Sequence, residues 1–535
     1  MIKALNPHQP SGKNKLLSIG NAAALLIATS LIGQVLGFLR TKLVNANFPV
    51  TGPHSTDAYF AAFMIPDFFF FTLAAGALGV TMIPVLSDRL HKGDRKDAWE
   101  LAASVMNFLT IIMTVVGVIM IIFARPLIHY IVAPGLSEPQ LETATTIMRF
   151  LAFNPLLFTV SGILNSVQQT MGRFFFYAIA PLFYNLTIIA SIFIFKDNIG
   201  LAGLGIGALA GASIQLIIVA LGIINTSFHW HPRILWRSSD FRMILKNLPP
   251  RSLDQGVDQV EALVETRIAS GLGTGNITYY SNAYILSTAP ILLLGTAIST
   301  AAFPRLNQRL SQGRPDLFRH DFLMVLRAMI WLSTPLIVVC FLGRGYLARM
   351  IYAQGNQKIA GIFGLLTVAI FFRILYSIIS RWFYAHKDTH TPLFVSIFIV
   401  LLNIILAYTL ARPSVYGVYG LAVAQSIVAM VEVAILTAIM LYRDPKLFDG
   451  YFWSGVVRIM SVTGFSMVAA YTMVKIYPLQ LADKGILTLG TKLLLISGVT
   501  FAVHIGVSGL FGLEEAQPFF RRAKTLIYRP IKLDP

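Results

Sequence analysis

The sequence of 535 residues predicts an all-α polytopic membrane protein, and three observations carry that expectation. Hydrophobic residues make up 56% of the chain and charged residues only 12%, about half of the roughly 25% that a soluble domain uses to cover its surface. Mean hydropathy is +0.70. The apolar residues fall into runs of about 20, the length a helix needs to cross a bilayer. The lone cysteine, Cys340, lies inside one such run and leaves no intramolecular disulfide.

About fourteen spans follow from these runs, near 18–44, 56–87, 98–124, 140–168, 174–195, 199–226, 243–270, 277–303, 320–343, 359–385, 391–411, 415–442, 452–476 and 486–512. The first has Lys3, Lys13 and Lys15 ahead of it and is too long for a signal-peptide core, so it reads as a retained span. The second contains Pro66, Gly76, Gly79 and Pro84, which predict a kinked helix facing a cavity rather than lipid. The strip Pro126–Pro134 is too short to cross and is expected at the interface.

Lys and Arg set the orientation. Twenty-five of them gather on one side, in groups such as Arg89–Lys96, Arg233–Lys246, Arg305–Arg319 and the tail from Arg521 to Lys532, against eight on the other. Both termini are therefore expected in the cytoplasm, in a multi-pass protein of the cytoplasmic (plasma) membrane. The net charge of +18 lies between apolar runs, so anionic lipids of the cytoplasmic leaflet are the expected partners and nucleic acid is not.

An internal duplication organises the chain. Ile83–Gly93 matches Phe303–Gly313 at five positions, Asn185 corresponds to Asn403, and Gly200-x-x-Gly203-Leu204 to Gly417-x-x-Gly420-Leu421, all at offsets of 217 to 220. The division expected is a cytoplasmic tail at 1–17, a six-span lobe at 18–226, a cytoplasmic loop at 227–242, a second six-span lobe at 243–442, two further spans at 452–512 and a basic tail at 513–535. An even span number per lobe makes the repeats parallel, with the site between them near mid-membrane.

Three segments resemble a known family, the MurJ/MviN lipid II flippases of the multidrug/oligosaccharidyl-lipid/polysaccharide exporter superfamily. Gln34–Arg40 is similar to the family's R-V-L-G-F-x-R, Thr56–Pro66 to T-D-A-[FY]-x-x-A-F-x-[LI]-P, and Phe383–Pro392 to F-Y-A-x-x-D-T-x-T-P. The resemblance runs from about residue 18 to 445, and the two trailing spans agree with a fourteen-span member. Departures are clear. Gln34 replaces the first motif cation, Phe70, Phe71 and Ala75 replace a basic pair and a glutamate, Asp67 replaces an asparagine, and Ile285 replaces a cavity arginine.

Ionised groups inside a membrane are costly, so each needs a reason. Arg40 is the cavity cation retained at the motif position, suited to a diphosphate; snorkelling to the outer interface is its alternative. Asp57 either pairs with Arg40 or is an acid favoured at a helix N-terminus. Asp67 is a site residue or a kink residue, and Gln34 occupies a substrate-handling position by resemblance. In the seventh span Asp254, Asp258, Glu261 and Glu265 are spaced 4, 3 and 4, which sets all four on one helical face. They read as a coupling site for Na⁺ or H⁺, as recognition of a substrate amine, or as partners of Arg149, Arg327 or Arg373 around a wet vestibule. His229 and His231, and His386 and His390, lack a third ligand, so no metal is expected. No Walker A, zincin, nucleophile-elbow or dinucleotide motif is present, so no enzyme is expected.

The resemblance implies a flippase that moves an undecaprenyl-diphosphate-linked peptidoglycan precursor, lipid II, from the cytoplasmic to the outer leaflet. It needs no cofactor beyond a coupling Na⁺ or H⁺, and cell-wall synthesis proteins are candidate partners. A cation-coupled exporter of small solutes and a non-transporting scaffold for wall synthesis are the alternatives.

Overall fold

The computed structural model describes residues 19–72, 77–224, 226–353 and 356–521, without the side chains of 19–24, 77–80 and 249–255. Among the described residues the secondary structure is helical, joined by turns and short loops, with no strand. In chain order the α-helices are α1 (Ile19–Asn47), α2 (Asp57–Phe70), α3 (Ala77–His91), α4 (Arg95–Pro126), α5 (Glu138–Leu151), α6 (Asn154–Thr170), α7 (Phe175–Phe195), α8 (Gly203–Leu221) and α9 (Ser239–Ser270). They continue as α10 (Asn276–Pro290), α11 (Ala297–Ser311), α12 (Pro315–Leu342), α13 (Arg344–Ile351), α14 (Gln357–Ala385), α15 (His390–Leu410), α16 (Tyr419–Arg443), α17 (Gly450–Ile476) and α18 (Gly485–Leu510).

Twelve helical segments among the described residues are long and apolar enough to cross a membrane, two fewer than the fourteen spans expected. The two outside this set are the second and seventh. The described residues of the second fall in α2 and α3, each shorter than 18 residues, and residues 73–76, Gly76 among them, lie outside the described residues. Pro66 and Pro84 are accommodated inside these two halves. The seventh, α9, is 32 residues long but carries the acid stripe and its flanking cations. In the strip Pro126–Pro134, Tyr130 and Ile131 are exposed. Leu127–Val132 continues α4 as a π-helical turn, with Ile128 and Val132 fully buried against α2 and α9. Arg267 of α9 donates to the carbonyls of Tyr130 and Ile131 and holds that turn in place.

The duplication is visible in the packing. Contacts of α1 with α7, α3 with α6, α4 with α6, α6 with α8 and α7 with α8 are matched by α9 with α15, α11 with α14, α12 with α14, α14 with α16 and α15 with α16. The matched sequence motifs are turns with the same backbone need. Gly93 and Gly313 have φ of +88° and +66°, and Gly200 and Gly417 have +67° and +55°, a region where a Cβ is strained. At Gly203 and Gly420 a Cβ would come within 2.2 Å of Phe195 and 2.3 Å of Leu410, so the small residue lets α8 and α16 start tight against the preceding helix.

Helix α9 joins the two halves. Its first turns bury Phe241, Ile244 and Leu248 in the core formed by α3, α4 and α6, and Asp240 pairs with Arg89 at 2.6 Å. Its second half packs on α15 and α2. The trailing pair α17 and α18 is fastened to α12 through a buried Arg327–Glu515 ion pair at 2.7 Å and a Trp331 Nε1 hydrogen bond to Ser508 Oγ at 2.8 Å.

Candidate functional site

A cavity of about 290 Å³ lies between the halves, walled by α1, α2, α9, α10, α14 and α16. Each wall contributes polar side chains. Arg40 comes from α1, Tyr59 and Asp67 from α2, and Asp258, Glu261 and Glu265 from α9. Tyr280 and Tyr284 come from α10, Arg373 from α14 and Gln425 from α16. The spacing of the α9 acids does what the sequence predicts, since three of them face one space. The side chain of the fourth, Asp254, lies outside the described residues.

Glu261 and Glu265 are 7% and 5% exposed, and their charges are met by amides rather than by an ion pair. Asn403 Nδ2 donates to Glu261 Oε1 at 2.5 Å and to Glu265 Oε1 at 3.1 Å. Gln425 Nε2 donates to the same two oxygens at 2.8 and 2.7 Å. The oxygen of the Gln425 amide accepts from Arg373 Nη2 at 2.6 Å. Of the three arginines considered as partners of the stripe, only Arg373 faces it. Arg327 is committed to Glu515, and Arg149 donates to the carbonyl of Ile121. A side pocket of about 160 Å³ continues from Asp258, Glu261 and Arg373 toward Ser396 and Glu432, where Ser396 Oγ donates to Glu432 Oε1 at 3.1 Å.

Arg40 faces the cavity with Asp67, Tyr59 and Tyr184 around its guanidinium, so it does not snorkel to the interface. Arg40 and Arg373 are the two cations that line the cavity. Ile285 lines it too, where the motif places an arginine. Two expected site residues lie elsewhere. Gln34 is exposed on the outer face of α1 and does not line the cavity. Asp57 is 1% exposed and caps a neighbouring helix: its carboxylate accepts from the backbone N–H of Gly275 and Thr278 and from the Thr278 hydroxyl, at 2.5, 2.8 and 2.7 Å. That places an anion at the positive start of α10 and ties α2 to it.

The third motif is also a cap. Asp388 accepts from the backbone N–H groups of His390 and Thr391 at the start of α15 and from Arg443 Nη1 at 2.6 Å. Burial opposes its charge, but Thr391 and Arg443 together hold the carboxyl below the usual carboxylate range. Among the described residues no group of three metal-ligating side chains is present. Sequence reasoning named Arg373 as one of three possible partners of the acid stripe, and missed Tyr280, Tyr284 and Gln425 as cavity residues. The signal for Arg373 is a charge within a long apolar helix.

Two like-packed helical bundles around a charged cavity define a polytopic membrane transporter. The model of the family described as "Lipid II flippase MurJ" matches residues 53–488, and the chain belongs to that family. Relatives called "Probable lipid II flippase MurJ" include those of Borreliella burgdorferi, 22% identical over 85% of this chain and 88% of the relative, and Vibrio cholerae, 26% identical over 77% and 81%. The fold resembles a solved lipid II flippase MurJ in an inward closed conformation, with a TM-score of 0.75 and 21% identity over 91% of this chain and 98% of the other. It also resembles an inward-facing multidrug resistance transporter of the MATE family, with a TM-score of 0.64 and 15% identity over 82% and 98%.

Proposed function

We propose that the protein translocates lipid II, an undecaprenyl-diphosphate-linked peptidoglycan precursor, from the cytoplasmic to the outer leaflet by alternating access. Family membership supports the substrate, and the observation that carries the mechanism is Arg40 in a polar cavity between the two bundles. A guanidinium there gives a diphosphate charge-assisted, bidentate contacts while the isoprenyl tail stays in lipid. The work is transport, with no bond made or broken.

With both termini in the cytoplasm, as the Lys and Arg asymmetry requires, the end of α1 and the starts of α2 and α10 lie at the outer face. There Asp57, Thr56–Thr278 at 3.0 Å and Asn45–Asn282 at 3.0 Å tie one bundle to the other. These bonds must break for release to the outer leaflet. Glu261 and Glu265 are the coupling candidates, with Asp258 and Asp254 beside them on the helix. Their oxygens converge, and Asn403 Oδ1 is buried beside them without a partner, an arrangement suited to Na⁺ or to a shared proton. Anionic lipids of the cytoplasmic leaflet and cell-wall synthesis proteins are the proposed partners.

Rescue of cells depleted of their own lipid II flippase tests this reading. Restored growth and lipid II export support it. Expression at the membrane without rescue rejects it and favours a cation-coupled exporter of small solutes, for which the acid-rich wall is the supporting feature.

A further inference from the structure

A diphosphate entering this cavity meets Asp67, Asp258, Glu261 and Glu265. One arginine cannot offset that wall, and Ile285, the lining residue at the motif's cation position, is neutral. Arg373 is the second cation on the lining. It belongs to α14, in the opposite bundle from Arg40. Among the described residues it forms no ion pair. Its guanidinium is instead aimed by the Gln425 oxygen at 2.6 Å, which takes one terminal nitrogen and leaves the rest of the fork for a ligand.

Gln425 is fixed at its other end as well. Its nitrogen donates to both Glu261 and Glu265, so the amide cannot turn without losing three hydrogen bonds. A chain of contacts thus runs from the two glutamates through one amide to the arginine.

Resting on the flippase reading, we infer that Arg373 is the second head-group ligand, gripping one phosphoryl group of an isoprenyl diphosphate while Arg40 grips the other, and that Gln425 is its positioning residue. The ligand then bridges the two bundles, one cation from each, so that its presence bears on how they move. It also supplies a physical link between the carboxylates and the substrate: a cation or proton taken up by Glu261 and Glu265 competes with the Gln425 N–H groups for the carboxylate oxygens and alters how firmly Arg373 is held.

The test measures binding of undecaprenyl diphosphate and undecaprenyl monophosphate to the full-length protein in nanodiscs. Wild type should prefer the diphosphate. Arg373→Ala should weaken diphosphate binding about 10- to 100-fold, the range for a lost charge-assisted contact, and monophosphate binding far less. Arg373→Lys, which keeps the charge and protects the fold, should lose an intermediate amount because it has no fork. Gln425→Leu should weaken diphosphate binding, and that loss should vanish in an Arg373→Ala background. Unchanged diphosphate preference in both Arg373 variants, with binding lost in Arg40→Ala, overturns the inference and leaves the flippase reading intact. Additive losses from Gln425→Leu and Arg373→Ala overturn the positioning role. A wild-type protein that binds neither lipid defeats the flippase reading itself.

Discussion

Arg40 and Asp57 both lie in family motifs, and the structure gives them opposite kinds of work. Arg40 points into the cavity with a carboxylate and two phenols around it. Arg40→Ala should abolish rescue of flippase-depleted cells while expression holds, and Arg40→Lys should retain little activity, since an ammonium cannot make the bidentate contact. Full rescue by Arg40→Ala would remove it from the substrate path. Asp57 serves α10, accepting three hydrogen bonds there. Asp57→Ala orphans buried donors at a cost of about 1–3 kcal/mol, so its thermal midpoint should fall; Asp57→Asn keeps acceptor capacity and should fall less. Equal midpoints for the two variants would deny the capping role.

At the scale of a single element, α9 carries the most. Its apolar first turns are locked into the core of α3, α4 and α6, while its second half presents three acids to the cavity. Amides, not a guanidinium, satisfy Glu261 and Glu265, so a neutral replacement leaves no buried cation orphaned. Glu261→Gln should therefore stay close to wild type in thermal stability while transport loses its dependence on Na⁺ or pH. A fall of about 3–5 kcal/mol, the cost of breaking a buried ion pair, would show the acids to be structural. Unchanged stability with unchanged ion dependence would leave the stripe as a solvated wall.

For the whole molecule, the charge asymmetry predicts the orientation, with both termini in the cytoplasm. Reporter fusions at the C-terminus and after Arg443 should read cytoplasmic, and one at Gly273 should read external. A C-terminal reporter found outside would sink the fourteen-span arrangement, in which α2 with α3 is the second span and α9 the seventh. The paired packing of α7 with α8 and α15 with α16 makes the two bundles equivalent in plan, and the trailing helices attach through α12.

The sequence by itself determined the class, the approximate spans, the repeat and the shared face of the α9 acids. Each of those depends on local quantities: apolar length, charge placement and helical period. It also offered Arg40 as a cavity residue by its motif position, with snorkelling as the alternative, and Asp67 as either a site or a kink residue. Only the tertiary structure decided partners. Arg373, Gln425 and Asn403 come from three different helices, more than a hundred residues from the glutamates they serve, and nothing in a helical period says which neighbour will face which. For the same reason Asp57 looked like a site acid and is a cap on α10, 218 residues away along the chain at Gly275. Where a side chain's role rests on its own helix the sequence suffices; where it rests on what another helix brings within hydrogen-bonding distance, the fold must supply the answer.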